Sequence, residues 1–325
     1  MTVTLFTLGG TIAMSGHNGG GVVARLSGAE LTAAVPGLDE LGEALDVRDV
    51  QAVPSASLSF ANVLDVVAAA SRAVDEGATG VVVTQGTDSL EETAYLADLV
   101  WPHPAPLVFT GAMRNPTLAG PDGPANLLAA ARTAASPAAR DLGVLVAFND
   151  EVHAARWVRK THSTSTATFA SPNTGPVGHV VEGVVRVLTT PPRRTPLAAP
   201  ATLDGTRVAL HTVTLDDDGA QLAGLADSHQ GLVVAAFGVG HVPASMAPVL
   251  GELAGRIPVV LSSRTGAGSV LRDTYGAVGS ERDLLARGLI GSGLLDPNKA
   301  RVLLRLLLAN AIGRDEIADA FVVHG

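Results

Sequence analysis

Short runs of Val, Leu and Ile alternate along this chain with longer Ala- and Leu-rich segments whose apolar residues recur at helical spacing. Runs that are apolar almost throughout suit strands of a parallel sheet covered by helices on both faces. The pattern predicts strands over 2–8, 45–53, 80–84, 107–110, 143–148, 207–212, 231–235 and 257–261. It predicts helices over 28–34, 60–76, 89–99, 125–135, 244–254 and 299–311. The fold class that follows is α/β, with a larger N-terminal domain built on a mainly parallel sheet flanked by helices and a smaller C-terminal α/β domain with a parallel sheet.

The break between them is read from composition. The segment "TTPPRRTPLAAPATLDG" is rich in proline and has little that can pack, so it reads as a linker. The expected organisation is a catalytic domain over 1–188, a linker over 189–206 and an α/β domain over 207–325.

The 325 residues are 47% hydrophobic and 16% charged, with 36 Gly and 19 Pro, as in a compact, loop-rich globular protein. Aromatics are only 3%, so the cores must be made of Val, Leu and Ala. A net charge of -9 and no basic run longer than Arg193-Arg194 give no footprint for nucleic acid or an anionic membrane. The chain has no cysteine, which removes disulfides and thiolate catalysis, and its nine His are scattered, so no metal site is expected. The N-terminal "MTVTLFTLGGTIAMSG" lacks a basic region and an Ala-x-Ala site, and no apolar stretch is long enough to span a bilayer. A cytoplasmic enzyme or binding protein is the expectation.

In open α/β sheets ligands sit at the carboxyl ends of strands. Four loops there are rich in hydroxyls: "TLGGTIA" with Thr11, "PSASLS" with Ser55, "TQGTDS" with Thr87 and Asp88, and the long "TGAMRNPTLAGPDGPAN". Each has a structural explanation by itself, since Gly9-Gly10 fits a tight turn and Ser89 with Glu92 fits a capping box. Four such loops at one end of one sheet exceed what backbone capping needs. A fifth segment, "WVRKTHSTSTATFASPN", sets Lys160 before a Ser/Thr run. A lysine beside a Thr/Asp pair can polarise a hydroxyl nucleophile or take its proton, and backbone amides at glycine turns can hold an oxyanion. Acyl transfer follows from these parts. The Gly-x-Ser-x-Gly elbow of serine hydrolases is absent, and no Gly-x-Gly-x-x-Gly follows the first strand.

The segments "TLGGTIA", "TQGTDSLEETAYL", "GAMRNPTLAGPDGPANLLAAARTA", "VRKTHSTSTATFASPNTGPVG" and "GLLDPNKARVLLRLLLA" resemble, in order and spacing, the bacterial-type L-asparaginases. The resemblance runs nearly from Met1 to the C-terminus. It implies hydrolysis of L-asparagine to L-aspartate and ammonia through an acyl-enzyme, with no cofactor. It also implies a homotetramer arranged as a dimer of dimers, each active site lying between two subunits.

Carried over by position, Thr11 matches the nucleophilic threonine of the first loop, and Thr87, Asp88 and Lys160 match the second catalytic group. Which threonine attacks first stays open. Ser55 matches the serine that holds the α-carboxylate, Asp88 also meets the α-amino group, and Ala112 matches the residue whose carbonyl receives the side-chain amide. Gly86 and Ala56 border the same pocket, Ala56 standing where relatives often carry Gln or Glu, so that one substrate contact is missing. Glu281 matches a glutamate sent from the neighbouring subunit toward the α-ammonium. His241 either touches substrate or makes only loop hydrogen bonds.

The family's Thr-Gly-Gly-Thr has become Leu8-Gly9-Gly10-Thr11, and His-Gly-Thr-Asp has become Gln85-Gly86-Thr87-Asp88, sparing the chemical groups in both cases. The larger departure is a missing tyrosine in the first loop, where Val22 falls near its place. Tyr275, delivered in trans, or Lys160 through water would then activate Thr11. Two alternatives accompany the asparaginase reading: a related amidohydrolase such as a glutaminase, and an amino-acid-binding homologue of low activity. Retention of Thr11, Thr87, Asp88 and Lys160 argues against pure binding.

Overall fold

The computed structural model describes residues 2–10, 12, 14–15, 23–24 and 27–325, the last two short pairs for their backbone only. The chain forms two compact units, Met1–Leu197 and Ala198–Gly325.

In the first unit eight strands form one sheet in the order Val184–Val187, Gly178–Val181, Glu151–Ala154, Val144–Phe148, Leu107–Thr110, Ala78–Thr84, Thr2–Thr7 and Ala44–Asp49. The five strands from Val144–Phe148 to Ala44–Asp49 are parallel, and the remaining three join antiparallel. Val81, Val82 and Val83 have no exposure, which accounts for the unbroken valine run: both faces of this strand are covered. Val82 and Val108 belong to a core completed by Leu127, Ala130 and Ala134 of the helix Gly123–Ala135.

The parallel register aligns Thr7 with Asp49 and Thr84, and Thr84 with Thr110. The loops after these four strands therefore emerge at one edge of the sheet. The predicted strand over 45–53 stops at Asp49 because the amides of Val50 and Gln51 both turn to the Thr7 carbonyl.

Helix starts follow local chemistry. Ser59 and Asn62 form a capping box for Phe60–Asp75, and Asp296 accepts from the amides of Asn298 and Lys299 with Pro297 opening Pro297–Ala309. Ser89 departs from its expected capping box, because its hydroxyl donates to the Ser55 carbonyl at 2.8 Å.

The second unit holds a four-stranded parallel sheet in the order Val208–Thr212, Gly231–Ala236, Val259–Ser263 and Ile290–Gly291. Leu232, Val234 and Leu261 pack against Leu250 and Leu253 of the helix Ala247–Arg256. The proline-rich segment is anchored along its middle. Leu197 donates to the Leu99 carbonyl and Arg193 to that of Trp101, while the Ala198 carbonyl accepts from Asn310. Among the features that escaped the sequence pattern are the short antiparallel strands after Phe148, the strand Ile290–Gly291, the helix Glu281–Ala286 and the terminal helix Arg314–His324. Among the described residues no helix is long and apolar enough to cross a membrane.

Candidate active site

The loop between Ala78–Thr84 and Leu90–Val100 carries Gly86, Thr87 and Asp88 onto the carboxyl edge of the first sheet. Its entry residue Gln85 is fully buried, its Oε1 accepting from Thr93 at 3.0 Å and its Nε2 donating to the Gly86 carbonyl at 3.2 Å. A buried amide whose ends are both bonded holds the loop where the family has histidine.

Ser55 comes from the adjacent loop. Its hydroxyl donates to Asp88 Oδ2 at 3.3 Å and accepts from the Asp88 amide at 3.1 Å, tying the two loops together. Ser55 and Thr87 are buried, whereas the Asp88 side chain is 66% exposed. Ala56, the next residue, is exposed.

Lys160 arrives from far along the chain. It lies in the short strand Arg159–Lys160, paired antiparallel with Phe169–Ala170. Its Nζ donates to Thr87 Oγ1 at 2.9 Å and stands 3.2 Å from Asp88 Oδ1, with the side chain 18% exposed. The Lys160 amide donates to Glu91 Oε2 at 2.5 Å. A hydroxyl, an ammonium and a carboxylate in mutual reach can activate the hydroxyl and neutralise an amino acid's charges.

Ala112 begins the long fourth loop and is buried. Asp122 bonds the amides of Met113 and Arg114, and Asn126 Nδ2 donates to the Gly111 carbonyl at 3.0 Å and to Asp122 at 3.1 Å. Neither residue stood out in the sequence as a site support, although their spacing of four in "PDGPAN" puts both on one face at the start of Gly123–Ala135. Thr11 and Val22 lie outside the described residues. Gly10, next to Thr11, is described and packs against Gly86.

In the second unit His241, Tyr275 and Glu281 form a cluster of their own. Glu281 has no exposed surface: Oε1 accepts from the amides of Thr274 at 2.9 Å and Tyr275 at 2.6 Å, and Oε2 lies 3.1 Å from His241 Nε2. Burial raises its pKa, but hydrogen bonds from Tyr275, its own amide, His241 and Thr274 outweigh it and hold the carboxyl below the usual range. The outward-facing groups are the His241 ring, 36% exposed, and Tyr275, 48% exposed, whose rings meet edge to face at 4.9 Å. His241 Nε2 thus meets the Glu281 carboxylate while its ring stays partly exposed, and Glu281 bonds the turn that begins at Thr274. A separate groove of about 640 Å³, bordered by Ala33, Leu38 and Leu45, shares no residue with either cluster.

A parallel α/β unit whose strand ends bring a threonine, a lysine and an aspartate together, followed by a smaller parallel α/β unit, defines a narrow class of proteins. The family model for the asparaginase N-terminal domain matches residues 2–193, and that for the glutaminase/asparaginase C-terminal domain matches residues 207–321. The chain is 34% identical to a probable L-asparaginase of Deinococcus radiodurans, covering 94% of this chain and 95% of the relative. It is also 34% identical to L-asparaginase 2 of Escherichia coli, covering 98% and 92%. The crystal structure of a probable cytoplasmic L-asparaginase from Campylobacter jejuni superimposes with a TM-score of 0.88 at 30% identity, covering 99% of both chains. This chain belongs to the asparaginase family.

Proposed function

We propose that the protein is an amidohydrolase that converts L-asparagine to L-aspartate and ammonia through a threonine acyl-enzyme. The observation that carries this reading is the 2.9 Å hydrogen bond between Lys160 Nζ and Thr87 Oγ1, with Asp88 3.2 Å from the same nitrogen. Relatives named L-asparaginase, at 30–34% identity over nearly the whole chain, support the substrate.

In this reaction a threonine oxygen attacks the side-chain amide carbon, and the hydroxyl proton passes by way of Lys160 to the departing nitrogen, which leaves as ammonia. Water then attacks the resulting ester, releases aspartate and returns the proton to threonine. Thr87 and Thr11 are the two hydroxyls available for this chemistry. Ser55 receives the α-carboxylate, Asp88 the α-ammonium and the Ala112 carbonyl the amide nitrogen. Ala56 and Gly86 border the substrate.

We assign the α-ammonium to Asp88, joined by Glu281 of a neighbouring copy, whose Oε1 is held by the amides of Thr274 and Tyr275. We further propose a homotetramer, a dimer of dimers, in which Tyr275 of a second copy or Lys160 through water activates Thr11. Light scattering on the purified protein tests the assembly. Relatives include both a periplasmic and a cytoplasmic enzyme by name, and we assign this chain to the cytoplasm, which cell fractionation tests.

The decisive experiment is ammonia release from asparagine and from glutamine against concentration, repeated with Thr11→Ala and Thr87→Ala. Wild-type turnover of asparagine that both substitutions abolish is the expected result, and wild-type silence on both amides overturns it. Preference for glutamine would convert the reading to a glutaminase, since one methylene is worth only about 1–3 kcal/mol of discrimination.

A further inference from the structure

The Lys160 side chain is fixed at its tip by Thr87 and Asp88, but its backbone is held by a residue to which the proposed reaction gives no part. Glu91 lies in the first turn of the helix Leu90–Val100, only four residues after Thr87, and is buried. Its Oε2 accepts the backbone amide of Lys160, a residue 69 positions away in sequence. The helix that starts immediately after the Thr87 loop therefore holds the strand that delivers the amine to Thr87.

We propose that Glu91 is a positioning residue for the hydrolytic reaction: by gripping the Lys160 amide it sets the distance between Lys160 Nζ and Thr87 Oγ1. The inference rests on the Thr87–Lys160 reading given above and extends it.

The physical case has three parts. Arg159–Lys160 forms only a two-residue ladder with Phe169–Ala170, too short to fix a side chain by itself. Beyond Lys160 the bonds shown are local: Thr161 donates to the Thr168 carbonyl, and the His162 amide to the Thr168 hydroxyl. The Glu91 contact ties this segment directly to the helix next to the nucleophile. A carboxylate in a first helical turn also stands in the favourable field of the helix N-terminus, so the helix supports the acceptor on which the grip depends. A misplacement of about 1 Å at a reacting pair costs on the order of 100-fold in rate, which gives the grip its leverage.

Side-chain chemistry supplies the test. Glutamine keeps an oxygen acceptor at the same reach, leucine removes it at similar volume, and aspartate keeps the charge but withdraws it by one methylene. With asparagine as substrate, Glu91→Leu and Glu91→Asp are expected to lower kcat by about 10- to 100-fold while KM changes less than about twofold, with Glu91→Gln within about threefold of wild type. Thermal unfolding of each variant is followed in parallel, and Glu91→Asp carries the test if Glu91→Leu does not fold.

Unchanged kcat in both Glu91→Leu and Glu91→Asp overturns the proposal, as does a loss in Glu91→Gln equal to that in Glu91→Leu. A KM increase that accounts for the whole loss also overturns it, since that marks a binding or scaffold effect. Lys160→Met and Thr87→Val are measured alongside. If these two are inactive while the Glu91 variants are normal, only the positioning role fails; if they retain full activity, the reading of the site fails and the inference with it.

Discussion

Gly10 and Gly86 pack backbone against backbone, so closely that a Cβ on Gly10 would stand 2.1 Å from the Gly86 nitrogen and 2.4 Å from its Cα. Gly10 also has φ +94, a conformation that side chains rarely adopt. The loops that leave the strands Thr2–Thr7 and Ala78–Thr84 thus meet at a contact only glycine permits, immediately before Thr87. Gly10→Ala must push the Thr87 loop away or leave its own conformation. The substitution is expected to destabilise by at least about 1–3 kcal/mol from backbone strain alone, and to lower kcat. Chemical denaturation with assay of the folded fraction measures both, and a variant of wild-type stability and rate would refute the account.

The Glu281 turn gives a pH signature. Its carboxyl is held below the ordinary value of 4.5 because hydrogen bonds from Tyr275, His241 and Thr274 outweigh the opposing effect of burial. In the unfolded chain the group takes up its proton at the ordinary value, so as pH falls the unfolded state binds protons first. The stabilisation is therefore complete above about pH 4.5 and is lost as pH falls through the lower folded value. Glu281→Gln is expected to reduce stability at pH 7 by roughly 1–3 kcal/mol, the cost of a weakened buried acceptor, and to flatten the acid limb of the stability curve. Urea midpoints at pH 7 and at successively lower pH measure this, and a parallel displacement of the whole curve would count against it.

Asn126 ties the Ala112 loop to the turn after Val144–Phe148 through the two ends of its amide. Its Nδ2 donates to the Gly111 carbonyl at 3.0 Å, and its Oδ1 accepts the Asn149 amide at 2.9 Å. Replacing it with leucine leaves the buried Gly111 carbonyl without this partner, which costs on the order of 1–3 kcal/mol. Because Ala112 is the proposed acceptor for the substrate amide, the loosened loop should raise KM for asparagine more than it lowers kcat. Steady-state kinetics on Asn126→Leu separates the two parameters, and an unaltered KM would remove Asn126 from the site.

Much of this frame was legible in residue order. The valines of 80–84 and the apolar run of 107–110 are buried on both faces, so neither alternation nor length was ambiguous, and the observed strands agree within two residues. The Thr87, Asp88 and Ser55 assembly was legible because each residue sits in the loop after a strand, Thr87 and Asp88 beyond Thr84 and Ser55 beyond Asp49. What failed were features set by distant partners. The strands Gly178–Val181 and Val184–Val187 are four residues each; the first takes its place by pairing with Glu151–Ala154 and the second by pairing with the first. Ser89 fits a capping box locally, but the Ser55 carbonyl, 34 residues away, claims its hydroxyl. Glu91 and Asn126 look like ordinary helix residues because their partners, the Lys160 amide and the Gly111 carbonyl, belong to backbone that composition does not mark.

Tyr275 is the position where the missing first-loop tyrosine can be tested most directly. Its amide is bonded to Glu281 and its ring lies edge to face on His241 at 89°, so phenylalanine keeps every one of these contacts and removes the hydroxyl alone. The ring is 48% exposed, so loss of the hydroxyl leaves no buried cavity and the melting temperature should not move. If Tyr275 from a second copy activates Thr11, kcat for asparagine falls by about 10²-fold or more with KM nearly constant, the range for loss of one positioned proton-transfer group. An equimolar mixture of Tyr275→Phe with a Thr11→Ala variant, each inactive in its own assembly, then regains part of the rate, because mixed assemblies hold sites with an intact threonine from one copy and an intact phenol from the other. Full kcat in Tyr275→Phe assigns the task to Lys160 through water, and failure of the mixture to regain activity locates the phenol's effect within a single copy.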